Sequence, residues 1–291
     1  MLPALLPFTF AVLWASSYAA AKIGLADITP FAFVALRLGI AALAAAILLT
    51  AWGAKWPAAR LWPHLMIGGA LVHGLALSTA HAALVTVGAT PIALVHAFHP
   101  VLTAALGVLL LGERFHWWQW LGVALGFIGV ALAVPFNAGG EILLLLALSL
   151  VGLSGGTLYL KRFGAGAPPF ESTGVQLIGG ALFTVIAMVF VETPHIRWTA
   201  SLAGAMAWNV LAMSVGGMVL YNSILTRYGA GRAASAFFVV PGAAAIIAWL
   251  ILGEHLAPLT VLGLVASTCG VALVWWKPSV RAATSQTPPV S

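Results

Sequence analysis

Of the 291 residues, 62% are hydrophobic and 6% charged, and the mean hydropathy is +1.08. A soluble domain carries about 25% charged residues, so this composition excludes a soluble core and leaves an all-α integral membrane protein. The net charge of +6 is dispersed over the ends of apolar runs, which excludes a nucleic-acid-binding stripe, and the one cysteine, Cys269, excludes disulfides and Cys-based metal sites.

Proline, glycine and charge punctuate ten apolar spans, at about 5–25, 30–51, 62–85, 91–111, 117–134, 141–161, 170–191, 199–226, 232–252 and 258–276. Most approach or exceed the roughly 20 residues that cross a hydrocarbon layer. The N-terminal MLPALLPFTFAVLWASSY lacks a basic n-region and reads as a retained first span, not a signal peptide. Span one carries Trp14, Ser17 and Tyr18. Arg37 falls about 10 Å into span two by helical rise. It could hold a substrate carboxylate, but the interface is within reach of a snorkelling side chain, and we assign it a structural role. Span three carries His73, Ser78, Thr79 and His81, and span four His96, His99 and a mid-span Pro100. Tyr159 lies in span six, Gln176 in span seven at the position aligned with Arg37, Tyr221 and Asn222 in span eight, and Phe237 and Pro241 in span nine. The polar, Pro-rich residues 278–291 read as a disordered tail.

The chain repeats itself. Gly88–Leu132 and Gly229–Leu273 align without gaps at an offset of 141, pairing Pro100 with Pro241, Gly112-Glu113 with Gly253-Glu254, and Gly129–Leu132 with Gly270–Leu273. Upstream, Lys22 aligns with Lys161 and Pro30-Phe31 with Pro169-Phe170 at an offset of 139. The halves are thus 1–137 and 138–277, with five spans each. An odd number of spans puts the second half in the membrane upside down, which gives a 5+5 inverted-topology repeat. In such proteins the substrate site lies near the midplane between the repeats. Basic residues crowd the side holding the N-terminus and the even-numbered loops, so both termini are expected in the cytoplasm. Gly122, Gly126 and Gly129 share a face of span five, as Gly263, Ser267 and Gly270 do in span ten. Small residues so spaced let helices pack closely, within the monomer or between the halves.

Ten spans as five plus five, an early WASSYAAAK, PFAFVALRLGIAAL opening span two and the twice-used Pro…LGE…G…GVAL block resemble the drug/metabolite transporter superfamily, EamA type. The resemblance covers residues 5–276, and within that group the chain looks like the YddG-type exporters of aromatic amino acids. It implies a carrier of the inner (cytoplasmic) membrane that works by alternating access without ATP. The histidines of spans three and four depart from the family pattern.

Three uses compete for those histidines: cavity lining, a metal site and a proton relay, beside plain interhelical hydrogen bonding. No metal-ligand spacing accompanies them, and no carboxylate lies deep in a span, so we expect no metal and no cofactor. Cavity lining is the reading we take. The substrate-binding set is therefore Trp14, Ser17, Tyr18, Ser78, His81, His96, His99, Tyr159, Gln176, Tyr221, Asn222 and Phe237, with Pro100 and Pro241 as hinges or helix breaks. Aromatic rings with polar tips suit a small, partly apolar solute. No catalytic constellation is present, so the expectation is not an enzyme. It is an exporter of a small metabolite, aromatic amino acids leading, with the lipid bilayer as its surroundings and a monomer sufficient. The alternatives are a membrane-embedded enzyme or scaffold that uses the histidine cluster, or a carrier of another metabolite or drug.

Overall fold

A computed structural model describes residues 2–111, 115–135, 138–217, 220, 223–224 and 230–275. Among these residues run ten long helices, in the order α1 (Leu2–Gly24), α2 (Pro30–Ala51), α3 (Ala59–Val87), α4 (Ala89–Leu111), α5 (Trp117–Ala133), α6 (Gly140–Phe163), α7 (Pro169–Val191), α8 (Ala200–Gly217), α9 (Ala230–Leu252) and α10 (Pro258–Trp275). The only β pairing among them is an isolated bridge between Ile28 and Ile196. Six helices (α2, α3, α4, α6, α7 and α8) are long and apolar enough to cross a membrane, and shorter apolar helices accompany them. Leu43, Ile47, Val189, Phe190 and Leu250 stand exposed on the outside of the bundle, where hydrocarbon is the fitting solvent. The expected tail at 278–291 lies outside the described residues.

Glycine decides how closely the helices approach. α5 and α10 pack along their whole length. A Cβ added at Gly129 would lie 2.2 Å from Ser267 Oγ and 2.6 Å from the Gly263 carbonyl, and one at Gly270 would lie 2.5 Å from the Gly122 carbonyl. The two glycine faces seen in the sequence therefore meet each other, backbone to backbone, and join the two halves. α3 and α7 cross in the same way: a Cβ at Gly69 would meet the Gln176 carbonyl at 2.0 Å, and one at Gly179 the Met66 carbonyl at 2.2 Å. α2 packs on α7, α1 on α8 and α9, α3 on α6, and α4 on α6 and α9.

The expected helix breaks at Pro100 and Pro241 are absent. α4 runs unbroken through Pro100 and α9 through Pro241. A proline removes one i→i−4 bond and crowds the preceding turn, and a helix whose remaining bonds survive can carry one. The irregular backbone lies elsewhere, as π-helix at Ala70–Leu75 in the middle of α3 and at Trp208–Gly217 closing α8. Advanced by the repeat offset, the first segment falls inside the second, so the two halves carry this irregularity at matching places.

At one face of the bundle, loops from the two halves are tied together. The Asp27 carboxylate pairs with the Arg197 guanidinium and accepts from the hydroxyls of Thr199 and Ser201. Arg197 N–H donates to the Asp27 carbonyl at 2.7 Å, and Thr29 N–H to the His195 carbonyl at 3.1 Å. Glu192, at the end of α7, accepts from the Phe31 and Ala32 amides at 3.1 and 2.8 Å, capping the start of α2. Glu254, at the end of α9, accepts from the Ala89 amide at 3.1 Å and so caps α4. Gly88 makes room for that cap: its φ is +85°, and a Cβ there would lie 2.9 Å from the Glu254 carboxylate. Lys22 closes the end of α3 by donating to the Leu84 and Val85 carbonyls, both at 2.7 Å.

Two predictions follow from this packing. Gly129→Ala should destabilise the detergent-solubilised protein by about 1–3 kcal/mol because it forces α5 off α10. Gly39→Ala, where nothing lies within 4 Å of the new methyl, should be neutral or stabilising by up to about 1 kcal/mol; thermal unfolding compares the two. Hydrogen bonds from Thr199 and then Arg197 hold the Asp27 carboxyl below its ordinary pKa. Its stabilising effect is therefore present above the ordinary carboxylate range and lost as pH falls through the lowered value. Asp27→Asn should lower the unfolding temperature at pH 7, and the gap to wild type should narrow only at pH values below that range.

Candidate functional site

Helices α1, α2, α3, α4, α6, α7 and α8 enclose a cavity of about 410 Å³. Its wall is mixed. Phe10, Leu38, Val72, Leu77, Leu153, Leu160, Leu177 and Met213 supply apolar surface, and Trp14, Tyr18 and four histidines supply rings with polar tips. Ser17, Thr157, Ser172, Thr173, Gln176 and Ser214 add neutral polar groups, and Arg37 is the one formal charge among the lining residues. The volume falls within the range of small-molecule sites. Both π segments reach this wall, through Val72 and His73 in α3 and through Met213, Ser214 and Gly217 in α8. Such segments recur at functional sites because they free backbone groups and re-aim side chains.

A directed chain of hydrogen bonds crosses one flank. Trp14 Nε1–H donates to the Tyr18 hydroxyl at 2.7 Å, and that hydroxyl lies 2.8 Å from His96 Nδ1. His96 Nε2 lies 2.8 Å from Ser149 Oγ, and the Ser149 hydroxyl donates to the Ala76 carbonyl at 2.9 Å. An indole N–H only donates and a carbonyl only accepts, so the two ends fix every proton between them. Tyr18 O–H donates to Nδ1, and His96 is a neutral imidazole that carries its proton on Nε2. The chain ties α1, α4, α6 and α3 together with no buried polar atom of its own left over.

The other histidines are held differently. His81 stacks on Phe33, with ring centroids 5.5 Å apart and planes at 27°, and its Nδ1 lies 2.7 Å from the Leu77 carbonyl. That carbonyl requires an N–H, which leaves Nε2 as a bare acceptor; among the described residues it is buried without a partner. His99 Nδ1 lies 3.1 Å from Thr103 Oγ1 and 3.3 Å from Ser154 Oγ. Among the described residues no cluster of three or more His, Cys, Asp or Glu could hold a metal ion.

The structure gathers Trp14, Ser17, Tyr18, His81, His96, His99 and Gln176 at one cavity. Ser78 and Tyr159 stand apart from its wall. Ser78 is fully buried with its hydroxyl 3.3 Å from Thr184 Oγ1, and Tyr159 bonds His64 at 2.9 Å and packs on Phe163. Each sits at a reasonable depth on the wrong face of its helix. Tyr221 and Asn222 lie outside the described residues, as does the side chain of Phe237, and neither Pro100 nor Pro241 lines the cavity. Arg37 does not reach outwards as its structural assignment supposed. It is 7% exposed and faces the cavity instead of snorkelling outwards, and its Nε donates to Ser214 Oγ at 3.2 Å. His73, Thr157, Ser172, Thr173 and Ser214 also line the cavity and lie outside the expected binding set. The one hint in the sequence was that Arg37 and Gln176 align, a polar position kept in both halves.

Ten long helices with an apolar exterior, seven of them around a cavity with a mixed wall, define a multi-pass membrane protein. The model of the EamA-like transporter family matches residues 1–134 and again residues 140–276. The chain belongs to this family and is a transporter of that type. The uncharacterized transporter YvbV of Bacillus subtilis (strain 168) is 29% identical over 285 residues, covering 93% of this chain and 90% of that one. A protein of Streptantibioticus cattleyicolor named "Probable terminal-alkyne amino-acid exporter" is 26% identical over 268 residues and 90% of each chain. A solved crystal structure, 20% identical, superposes with a TM-score of 0.63 over 93% of this chain and 95% of that chain.

The hydrogen-bond chain makes a prediction of its own. Tyr18→Phe removes the hydroxyl that serves both Trp14 and His96 and should cost about 1–3 kcal/mol of stability. Thermal unfolding in detergent would measure the loss. A variant as stable as wild type would mean that the chain does not hold the helices.

Proposed function

We propose that the protein exports small, partly apolar amino acids, aromatic ones foremost, across the inner (cytoplasmic) membrane by alternating access at the central cavity. The observation that carries this reading is the cavity wall itself, where indole, phenol and imidazole rings stand among aliphatic side chains with neutral hydroxyls and an amide between them. Flat, amphipathic solutes suit such a wall. The relative named as an amino-acid exporter lends support from outside the chain.

Alternating access needs two similar halves that can rock, and we assign the chain a 5+5 inverted repeat with both termini cytoplasmic. The helix contacts support it. When helix numbers are advanced by five, α1–α8 becomes α6–α3, α1–α9 becomes α6–α4, and α2–α8 becomes α7–α3, while α2–α7, α4–α9 and α5–α10 map onto themselves. In this reading the tied face, with Asp27, Arg197, Lys22 and Glu254, is the outer one. Neutral, hydrogen-bonded histidines favour solute recognition over a metal site or catalysis.

Liposomes holding the purified protein and preloaded with unlabelled tryptophan or phenylalanine test the assignment. Saturable entry of the labelled amino acid by counterflow is the expected result. Folded protein that exchanges neither amino acid would remove the aromatic substrate and leave the carrier fold standing.

A further inference from the structure

Two groups at the cavity remain unsatisfied, and their hydrogen-bonding senses are opposite. Arg37 is buried, yet among the described residues its guanidinium bonds only Ser214, through Nε. Ser214 spends its own hydroxyl on the Asn209 carbonyl at 3.0 Å, so it can only accept from Arg37. Among the described residues the terminal nitrogens of Arg37 carry no bond, and the residue lines the cavity. No lining residue is acidic. A largely buried guanidinium with no counter-charge is costly, and the cheapest remedy is a carboxylate held by two parallel N–H bonds. The second group is His81 Nε2, a buried lone pair with no donor, on a ring that is 3% exposed and lines the same cavity.

α2 links the two through Phe33. His81 stacks on Phe33, and Arg37 lies four residues on from Phe33, one turn along the same helix face. That turn corresponds to about 5–6 Å between the side-chain origins of Phe33 and Arg37. We propose that Arg37 and His81 are the two poles of one headgroup subsite: Arg37 fixes a carboxylate, and His81 Nε2 accepts from an N–H donor beside it. The aromatic or aliphatic body of the solute then lies along the Trp14, Leu77 and Met213 side of the cavity. With no carboxylate to neutralise an ammonium, the subsite selects for the acid first and the nitrogen second. Amines without an acid group are rejected. The inference rests on the carrier reading above and gives its substrate class a chemical test.

Binding to the full-length protein in detergent supplies that test, with tryptophan, tryptophan amide, indole-3-propanoate and indole-3-propanamide as probes and thermal stabilisation as the readout. Each acid should bind about 10–100-fold more tightly than its amide. Arg37→Gln should bring both ratios close to one. His81→Phe keeps the stack on Phe33, should leave the acid preference intact, and should erase the preference for tryptophan over indole-3-propanoate. Because each ratio compares two ligands on the same variant, a general loss of stability does not alter it. If Arg37→Gln proves unfolded, the wild-type ratios decide alone. No acid binding more tightly than its amide would overturn the proposal, and so would an acid preference that survives in folded Arg37→Gln. Indole-3-propanoate bound through Arg37 without tryptophan counterflow would sink the amino-acid reading and leave the subsite in place.

Discussion

In hydrocarbon a polar group that finds no partner costs several kcal/mol, and the interior of this protein is arranged around that constraint. The chain from Trp14 through Tyr18, His96 and Ser149 to the Ala76 carbonyl meets it completely. Its ends can play only one role each, so the protons between them have a single arrangement. His96 is thereby committed as a structural link between α1, α4 and α6. Freed from that work, His81 and Arg37 face the cavity with capacity to spare. One set of polar groups builds the wall, and another is left for the proposed solute.

The same constraint explains where the backbone departs from regular α-helix. A π turn leaves carbonyls and amides out of register, and lipid would not tolerate that on the outside of the bundle. Both π segments bring residues to the cavity wall, and Ser214 turns back to the Asn209 carbonyl five residues earlier. The prolines were the visible candidates for such a role, yet they sit inside continuous helix. Proline is conspicuous in a sequence. A shift from i+4 to i+5 pairing is not, and the neighbouring glycines, such as Gly74 and Gly217, serve packing as readily as irregularity.

Much of the architecture was nevertheless legible. The repeat located the glycine faces of α5 and α10 and the Gly-Glu ends, and the structure turns these into a backbone seam and, for Glu254, a helix cap. Periodicity placed the polar residues at the right depth but could not say which way each looks. Ser78 and Tyr159 are polar, deep and turned elsewhere, bonded to Thr184 and His64. Arg37 failed for the opposite reason. Its depth suggested escape to the interface, and what holds it in is Ser214, 177 residues away. A partner so distant leaves no local mark in the sequence.

Two kinds of contact join the halves, and they differ in what breaking them would cost. Along α5–α10 and α3–α7 the helices meet through glycine with backbone against backbone, and separating them would expose surface that nothing else fits. At the tied face the contacts are helix caps and one ion pair: Glu254 on Ala89, Glu192 on Phe31 and Ala32, Lys22 on the end of α3, and Asp27 on Arg197. The three caps have water as a ready substitute partner, so each contributes on the order of 1 kcal/mol or less once solvent competes. A bundle whose seams are dry and glycine-packed, and whose face is held by caps that water can replace, has its stiffness in one place and its release in another. Rocking of the kind proposed for this transporter would pivot on the first and open at the second.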